Sequence, residues 1–289
     1  MDGITVARLN YLKPDWLRKP VNLDLLRYMK QTLRRWNLHS VCEEARCPNI
    51  GECFRAGEVT FLLLGDVCTR HCRFCNVGKG KPGRLDPEEP ERIKKCVAEL
   101  GLHYVVLTSV SRDDLADGGA EIFSRCVSLI KQIDKTIKVE LLIPDFLFNR
   151  QALEKVALSG AEVIGHNIET VPSLYKRLRP EAVYRRSLEV LAYFKKINPH
   201  LYTKSGLMLG LGETKEEVIK VLEDLRGVGC DFLSLGQYLA PSFRHVPVQQ
   251  YVHPQEFDKW REIAETMGFK AVKSSPWVRS SYQAASYLT

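Results

Sequence analysis

From Val59 onward the sequence alternates short apolar runs with longer segments of helical period. Such alternation requires a parallel sheet, because one parallel strand reaches the next only through a crossover long enough to hold a helix. Six strands are predicted, over 59–64, 104–108, 137–143, 162–168, 202–209 and 231–235. Between them apolar residues recur three and four apart, as at Ile93, Cys96, Val97 and Leu100, or Val218, Val221, Leu222 and Leu225. Asp86 before Pro87 reads as a helix cap and first helical residue, and Thr214 with Glu217 as a capping box. Right-handed crossovers curl the sheet, and six units close only part of an eight-stranded barrel. The expected fold is therefore α/β, a partial (β/α)6 TIM-type barrel over 59–253. Residues 1–58 form an N-terminal extension that lacks strand character but holds a helix near 23–36, capped by Asn22, with Leu26, Met29, Leu33 and Trp36 on one face. Residues 254–289 form a C-terminal unit: a helix over 255–267 stopped by Gly268, a strand-like run over 269–272, and a polar tail.

Nine cysteines are present, an odd number, and six of them lie between Cys42 and Cys75. A disulfide framework belongs to smaller secreted chains, so the clustering points to metal or redox chemistry. No apolar run approaches bilayer length. The N-terminal stretch, with Asp2, Pro14 and Asp15, does not read as a secretory signal, and a cytoplasmic location is expected. The net charge of +7 suits an acidic macromolecular partner as readily as a solvated basic surface, and on charge alone nucleic acid stays open.

The first cysteine triad follows the first predicted strand directly: Cys68, Cys72 and Cys75, spaced C-x3-C-x2-C. Strand C-termini hold the active site of a parallel barrel, which puts these thiols at its mouth. Three thiolates bind three irons of a cubane cluster and leave the fourth iron open. An open iron can chelate the amino and carboxylate groups of S-adenosylmethionine and pass an electron into the sulfonium, which cleaves to methionine and a 5′-deoxyadenosyl radical. A structural zinc site more often pairs two Cys-x2-Cys knuckles. With Phe74 just before the third cysteine, the motif resembles that of the radical S-adenosylmethionine superfamily.

Upstream lie Cys42, Cys47 and Cys53, spaced C-x4-C-x5-C. By spacing alone this triad could hold an electron-relay cluster, a zinc ion or a sulfur donor. Taken with the downstream triad and with Arg279-Ser280-Ser281-Tyr282, it resembles the lipoyl synthase family. Further matches are Lys13-Pro14-Asp15-Trp16-Leu17, Thr108 to Asp114, His166 to Thr170, Gly210 to Glu213 and Gly236 to Leu239, so the resemblance spans most of the chain. Ser111 departs from the pattern, where an aspartate is expected, and puts a local polar contact in question.

The resemblance implies two 4Fe-4S clusters and S-adenosyl-L-methionine as cofactors. The upstream triad would hold an auxiliary cluster whose fourth ligand is Ser281, with Ser280 the alternative. Phe74, Thr108, Ser109, Asn167 and Glu169 are the implied cofactor contacts, and Gly118-Gly119 and the Gly210 turn are further places where backbone could approach a ligand. The implied reaction inserts two sulfur atoms at carbons 6 and 8 of a protein-bound octanoyl-lysine, with the auxiliary cluster as sulfur donor. The implied partners are an octanoylated lipoyl carrier domain (a 2-oxoacid dehydrogenase subunit or the glycine cleavage H protein), a low-potential donor such as ferredoxin or flavodoxin, and an iron-sulfur carrier that rebuilds the cluster. Neither nucleic acid nor a membrane is expected as a partner. A radical methylthiotransferase acting on transfer RNA would generally need an RNA-binding domain for which no space is found. A non-catalytic electron carrier would not need the open iron. Cys96, Cys126 and Cys230 are read as small core residues, and His103, His245 and His253 as hydrogen-bonded structural residues.

Overall fold

The computed structural model describes residues 13–18 and 23–288, so the cap expected at Asn22 and the N-terminal Asp2 lie outside the described residues. Helix α1 (Leu23–Arg35) leads into β1 (His39–Ser40), α2 (Val41–Glu44) and α3 (Ile50–Arg55). Then come β2 (Thr60–Leu63), the short pair β3 (Val67–Cys68) and β4 (Gly78–Lys79), α4 (Glu89–Leu100), β5 (Tyr104–Ser109), α5 (Ala120–Ile133), β6 (Lys138–Leu142) and α6 (Arg150–Ala157). The second half runs β7 (Val163–Gly165), α7 (Pro172–Leu178), α8 (Tyr184–Ile197), β8 (Tyr202–Leu209), α9 (Lys215–Gly227), β9 (Phe232–Gln237), α10 (Pro254–Thr266) and β10 (Ala271–Ser274).

The main sheet is ordered β1-β2-β5-β6-β7-β8-β9-β10, with every pair parallel except β1 with β2. All six predicted strands are present, and the fold is a partial TIM-type barrel. The strand-like C-terminal run becomes β10, a seventh parallel strand beside β9. Contrary to the expectation that the N-terminal extension lacks strands, His39 pairs with Leu62 and Ser40 with Phe61 in an antiparallel edge. Two residues are too few for an alternating pattern to show. Helix α4 starts at Glu89, later than the Asp86-Pro87 signal, because the Asp86 carboxylate accepts from the backbone N–H of Glu88 at 2.9 Å and forms a turn ahead of the helix. The capping box of Thr214 and Glu217 forms as predicted.

Alternate strand residues sort into two faces. Val105, Leu107, Val139 and Leu141 join Ile93, Val97, Phe123 and Val127 of the surrounding helices in one core, and Leu207, Leu209, Leu233 and Leu235 join Val218, Val221 and Phe257 in another. The opposite face carries polar groups inward. Glu140 and Lys204, both buried, form an ion pair at 2.8 Å, Tyr104 donates its hydroxyl to Glu140 at 2.8 Å, and the Lys204 ammonium sits 4.1 Å from the ring centre of Tyr287.

After β10 the chain returns across the sheet and fastens the two ends of the molecule together. Asn49 Nδ2 donates to the Trp277 carbonyl at 2.5 Å, Tyr282 donates its hydroxyl to Glu52 at 2.6 Å, and the Tyr287 hydroxyl donates to the Leu233 carbonyl at 3.1 Å. The segment passes so near β9 that a Cβ at Gly236 would lie 2.0 Å from the Val278 carbonyl oxygen. Glycine is the residue that admits such an approach.

Candidate functional site

Cys68 ends β3, and Cys72 and Cys75 follow in a loop closed by local hydrogen bonds. Gly80 N donates to Cys68 O at 3.0 Å, Cys75 N to Cys72 O at 3.3 Å, and Lys79 Nζ to Cys72 O at 2.8 Å. The Cys68 sulfur accepts from the backbone N–H groups of Arg70 and Ser111 at 3.4 and 3.3 Å. Ser111 also offers its carbonyl to both the backbone N–H and the hydroxyl of Thr69 at 3.0 Å. The departure noted at Ser111 thus meets the cysteine loop through backbone atoms, which any residue supplies. Beneath the loop Arg70, 5% exposed, donates to Asp113 at 2.7 and 2.8 Å and to Asp145 at 2.5 Å. Burial alone would raise the Asp145 carboxyl, but Arg70 and then His166 and Arg186 hold it well below the usual carboxylate range.

The second triad occupies α2, the following turn and α3. Ser40 caps α2 by accepting from Glu43 N at 3.3 Å, Cys47 N donates to Cys42 O at 3.0 Å, and Cys53 N to Asn49 O at 2.9 Å. Burial, then the charge of Cys47, pushes the Cys42 thiol up to about 12, and burial with Cys42 and Cys47 pushes Cys53 up as well. In the first triad burial pushes Cys75 up to about 11, with Cys72 and Cys68 adding to the effect. The thiols of each triad therefore sense one another. Among the described residues, however, no three His, Cys, Asp or Glu side chains gather closely enough to hold a single metal ion. Thiols that are mutually near but spread suit a cluster in which each takes its own iron.

A cavity of about 450 Å³ lies against the second triad, lined by Cys42, Cys47 and Cys53, by Ser280 and Ser281, and by Asn167 and Glu169 across from them. Asn167 Nδ2 donates to Glu169 Oε1 at 3.0 Å and to Ser280 Oγ at 2.5 Å, while its buried Oδ1 has no partner. The buried hydroxyl of Ser109 is likewise without a partner, whereas Thr108 donates to the Leu142 carbonyl at 2.8 Å. Unsatisfied buried polar atoms cost free energy, and the one on Asn167, a residue that lines the cavity, marks a place for a polar ligand. The predicted fourth strand ends at Gly165, short of both residues. Ile168 N turns to the Ser205 hydroxyl, and Glu169, at φ +68°, returns to the ladder through a single bridge to Leu207.

Arg179 was not singled out from the sequence. It follows α7 and is 8% exposed, donating from Nη1 to the carbonyls of Asn167 and Ile168 at 3.1 and 2.9 Å and to the Tyr175 hydroxyl at 3.1 Å. Burial raises the Glu169 carboxyl, and Arg179 opposes that shift; burial raises the Cys72 thiol, and Arg179 opposes that too. One guanidinium thus serves the strand end and the cysteine loop together. Arg279 lines the cavity together with Cys47.

Other expected positions have different surroundings. Phe74 packs with Leu178, Leu211 and Tyr238. Gly118 and Gly119 back onto the side chains of Phe146 and Leu64, and Gly210 onto Gln237 and the Gln250 carbonyl, so these glycines serve close packing. Cys96, Cys126 and Cys230 are buried in the two cores as expected.

Residues 62–225 match the family model described as the Radical SAM superfamily. The chain is 53% identical over 273 residues to the lipoyl synthase of Caldicellulosiruptor saccharolyticus, covering 94% of this chain and 96% of that one. It is 54% identical over 269 residues to the lipoyl synthase of Aquifex aeolicus, covering 93% and 98%. In fold it is similar to SuiB of Streptococcus suis bound to S-adenosylmethionine, with a TM-score of 0.59 at 12% identity over 78% of this chain and 54% of that one. It is also similar to methylornithine synthase, PylB, with a TM-score of 0.54 at 14% identity over 96% and 86%.

Proposed function

The chain belongs to the lipoyl synthase family of the radical S-adenosylmethionine superfamily, and on that footing we propose that it inserts sulfur at carbons 6 and 8 of an octanoyl-lysine on a lipoyl carrier domain. Family membership makes it a radical sulfurtransferase that uses S-adenosylmethionine and a 4Fe-4S cluster and acts on a lipoyl carrier protein. The sulfur comes, in this proposal, from a second cluster held by Cys42, Cys47, Cys53 and Ser281. That cluster is a substrate, consumed and rebuilt by an iron-sulfur carrier. The proposed units are an extension over 1–58 with the donor triad, the barrel over 59–253, and a C-terminal unit over 254–289 with Ser281.

The first cluster and S-adenosylmethionine, when bound, supply reductive cleavage of the sulfonium and the carbon radical that takes hydrogen from the chain. Cys68, Cys72 and Cys75 would hold that cluster by three irons, and Arg70, fixed by Asp113 and Asp145, keeps their loop in shape. The free Asn167 Oδ1 and Ser109 hydroxyl, with Glu169, would take the hydroxyl and amino groups of the cofactor, and Thr108 and Phe74 remain proposed contacts of the same cofactor. Burial raises the Glu169 carboxyl, and the Arg179 charge works against that rise. Val106, Leu142 and Met208 give the cavity apolar wall in which an alkyl chain can lie without solvent.

The observation that carries this reading is the single cavity shared by the donor triad, Ser281 and the Asn167–Glu169 pair. A carbon radical must meet its sulfur source before anything else, and one enclosure for both arranges that. The test uses anaerobically reconstituted protein with dithionite, S-adenosylmethionine and an octanoylated peptide. Two sulfurs gained per peptide, on protein holding about eight irons and eight sulfides, are expected. Deoxyadenosine without sulfur gain would reject the donor assignment, and no deoxyadenosine would reject the radical assignment.

A further inference from the structure

A second hollow, of about 930 Å³, lies beside the first cysteine loop, and its lining includes Cys75. Arg46, Arg73, Lys79, Arg177 and Arg244 surround it, all exposed, and among the described residues no Asp or Glu contributes to its wall. None of the five forms an ion pair among the described residues. Lys79 and Arg177 instead donate to the backbone carbonyls of Cys72 and Leu211, each at 2.8 Å. The far wall is tied to the loop itself, since His245 Nε2 lies 3.2 Å from the Cys75 carbonyl and Val246 N donates to Arg73 O at 3.3 Å. Five like charges around one concavity raise a positive potential that an unpaired surface does not dissipate, and such a field draws an acidic partner and fixes its orientation.

We infer that this basic groove is the docking site of an acidic, low-potential one-electron redox protein, which reduces the cluster of the first triad through the Cys75 wall. The inference rests on the radical reading above, which requires an electron at that cluster. Each encounter oxidises the donor by one electron and reduces the cluster by one, with no atom exchanged, and the electron goes on to break the carbon–sulfur bond of S-adenosylmethionine. The competing occupant, the acidic carrier domain, is disfavoured by geometry. Among the described residues the groove shares only Arg46 with the cavity lined by Cys42, Cys53, Asn167 and Ser281, so an acyl arm seated here lies against a different wall from that cavity.

The test is the double substitution Arg73→Glu and Arg244→Glu in the cluster-loaded enzyme. Arg73 is held through its backbone N–H and carbonyl and Arg244 through its backbone N–H, so both side chains can be exchanged without removing those bonds. The probes are a flavodoxin and a ferredoxin, with binding followed anaerobically by calorimetry as salt is raised. Expected are binding of at least one probe that weakens with salt, a loss of about tenfold or more in the double variant, and slower deoxyadenosine formation when that probe is the reductant. Dithionite-driven turnover and affinity for an octanoylated carrier domain should stay as in the unmodified enzyme. Failure of both probes to bind, binding indifferent to the substitutions, or a loss of carrier affinity instead would overturn the assignment. Failure of the radical reading shows separately, as absence of deoxyadenosine with dithionite in the unmodified protein.

Discussion

Asn167 donates from Nδ2 to the Ser280 hydroxyl at 2.5 Å, which joins a strand end of the barrel to the turn that presents Ser281. The two adjacent serines therefore have separate surroundings. Ser280 is engaged with the strand end, while the Ser281 hydroxyl is left to the cavity shared with Cys42, Cys47 and Cys53.

Substitution of Ser281 by alanine should leave deoxyadenosine formation near its original rate and lower sulfur insertion by roughly 10- to 100-fold, the range seen when a group that supports a metal site is removed. Single-turnover assays of both products measure the split. Equal loss of the two would mark Ser281 as a structural residue.

Arg179→Met removes the donor of three buried hydrogen bonds and the positive charge beside Glu169 and Cys72. The expected cost is about 2–4 kcal/mol of stability, since two carbonyls and the Tyr175 hydroxyl lose their donor and buried Glu169 loses the opposing charge. Urea unfolding of the cluster-free chain gives the number, and a change below about 0.5 kcal/mol would contradict the bridging role.

At the base of the barrel, Lys204→Met leaves Glu140 buried with only the Tyr104 hydroxyl, at an expected cost of about 3–5 kcal/mol. Adding Glu140→Leu should recover most of that loss, because the paired desolvation cost disappears with the pair. A double variant no more stable than the single one would show that the ion pair is worth more than the apolar filling.

His166 is buried, with Nδ1–H donating to the Ile143 carbonyl at 2.9 Å and Nε2 accepting from the Ser187 hydroxyl at 3.0 Å, an arrangement that suits the neutral ring. Burial, then the charge of Arg179, lowers it to about 4. Its folded value lies below its unfolded value near 6.5, so the unfolded chain binds the extra proton between the two. Stability is full above about pH 6.5 and falls as pH drops toward 4, by about 3 kcal/mol from this group. Denaturant unfolding of the cluster-free chain across that range should show the slope, and His166→Gln should flatten it. An unchanged slope in the variant would place the proton elsewhere.

Much of the barrel could be read from the chain because its strands repeat one local logic, an apolar run followed by a helix with period near four. The six strands from Thr60 to Gln237 obey it, and so does the capping box at Thr214. What escaped was fixed by tertiary contact. The two-residue strand at His39 exists only because β2 offers an edge, and α4 begins late because Asp86 makes a turn of its own. The cysteine spacings were legible as chemistry, since thiols are scarce and their intervals are set by what they bind. Arg179 was not, because an arginine at a helix end has no local pattern that distinguishes a surface charge from one folded over a strand terminus. The basic groove was hidden for the same reason: Arg46, Arg73, Arg177 and Arg244 are far apart in the chain and meet only in the fold.

The return of residues 276–287 over the sheet has a temporal meaning as well. The cavity has one wall from residues near 42–53 and another from residues near 280, so a growing chain that has already folded its barrel still has no working enclosure. Domains begin to fold from the N-terminus during synthesis, and here the wall that carries Ser280 and Ser281 is made after the thiols of Cys42, Cys47 and Cys53.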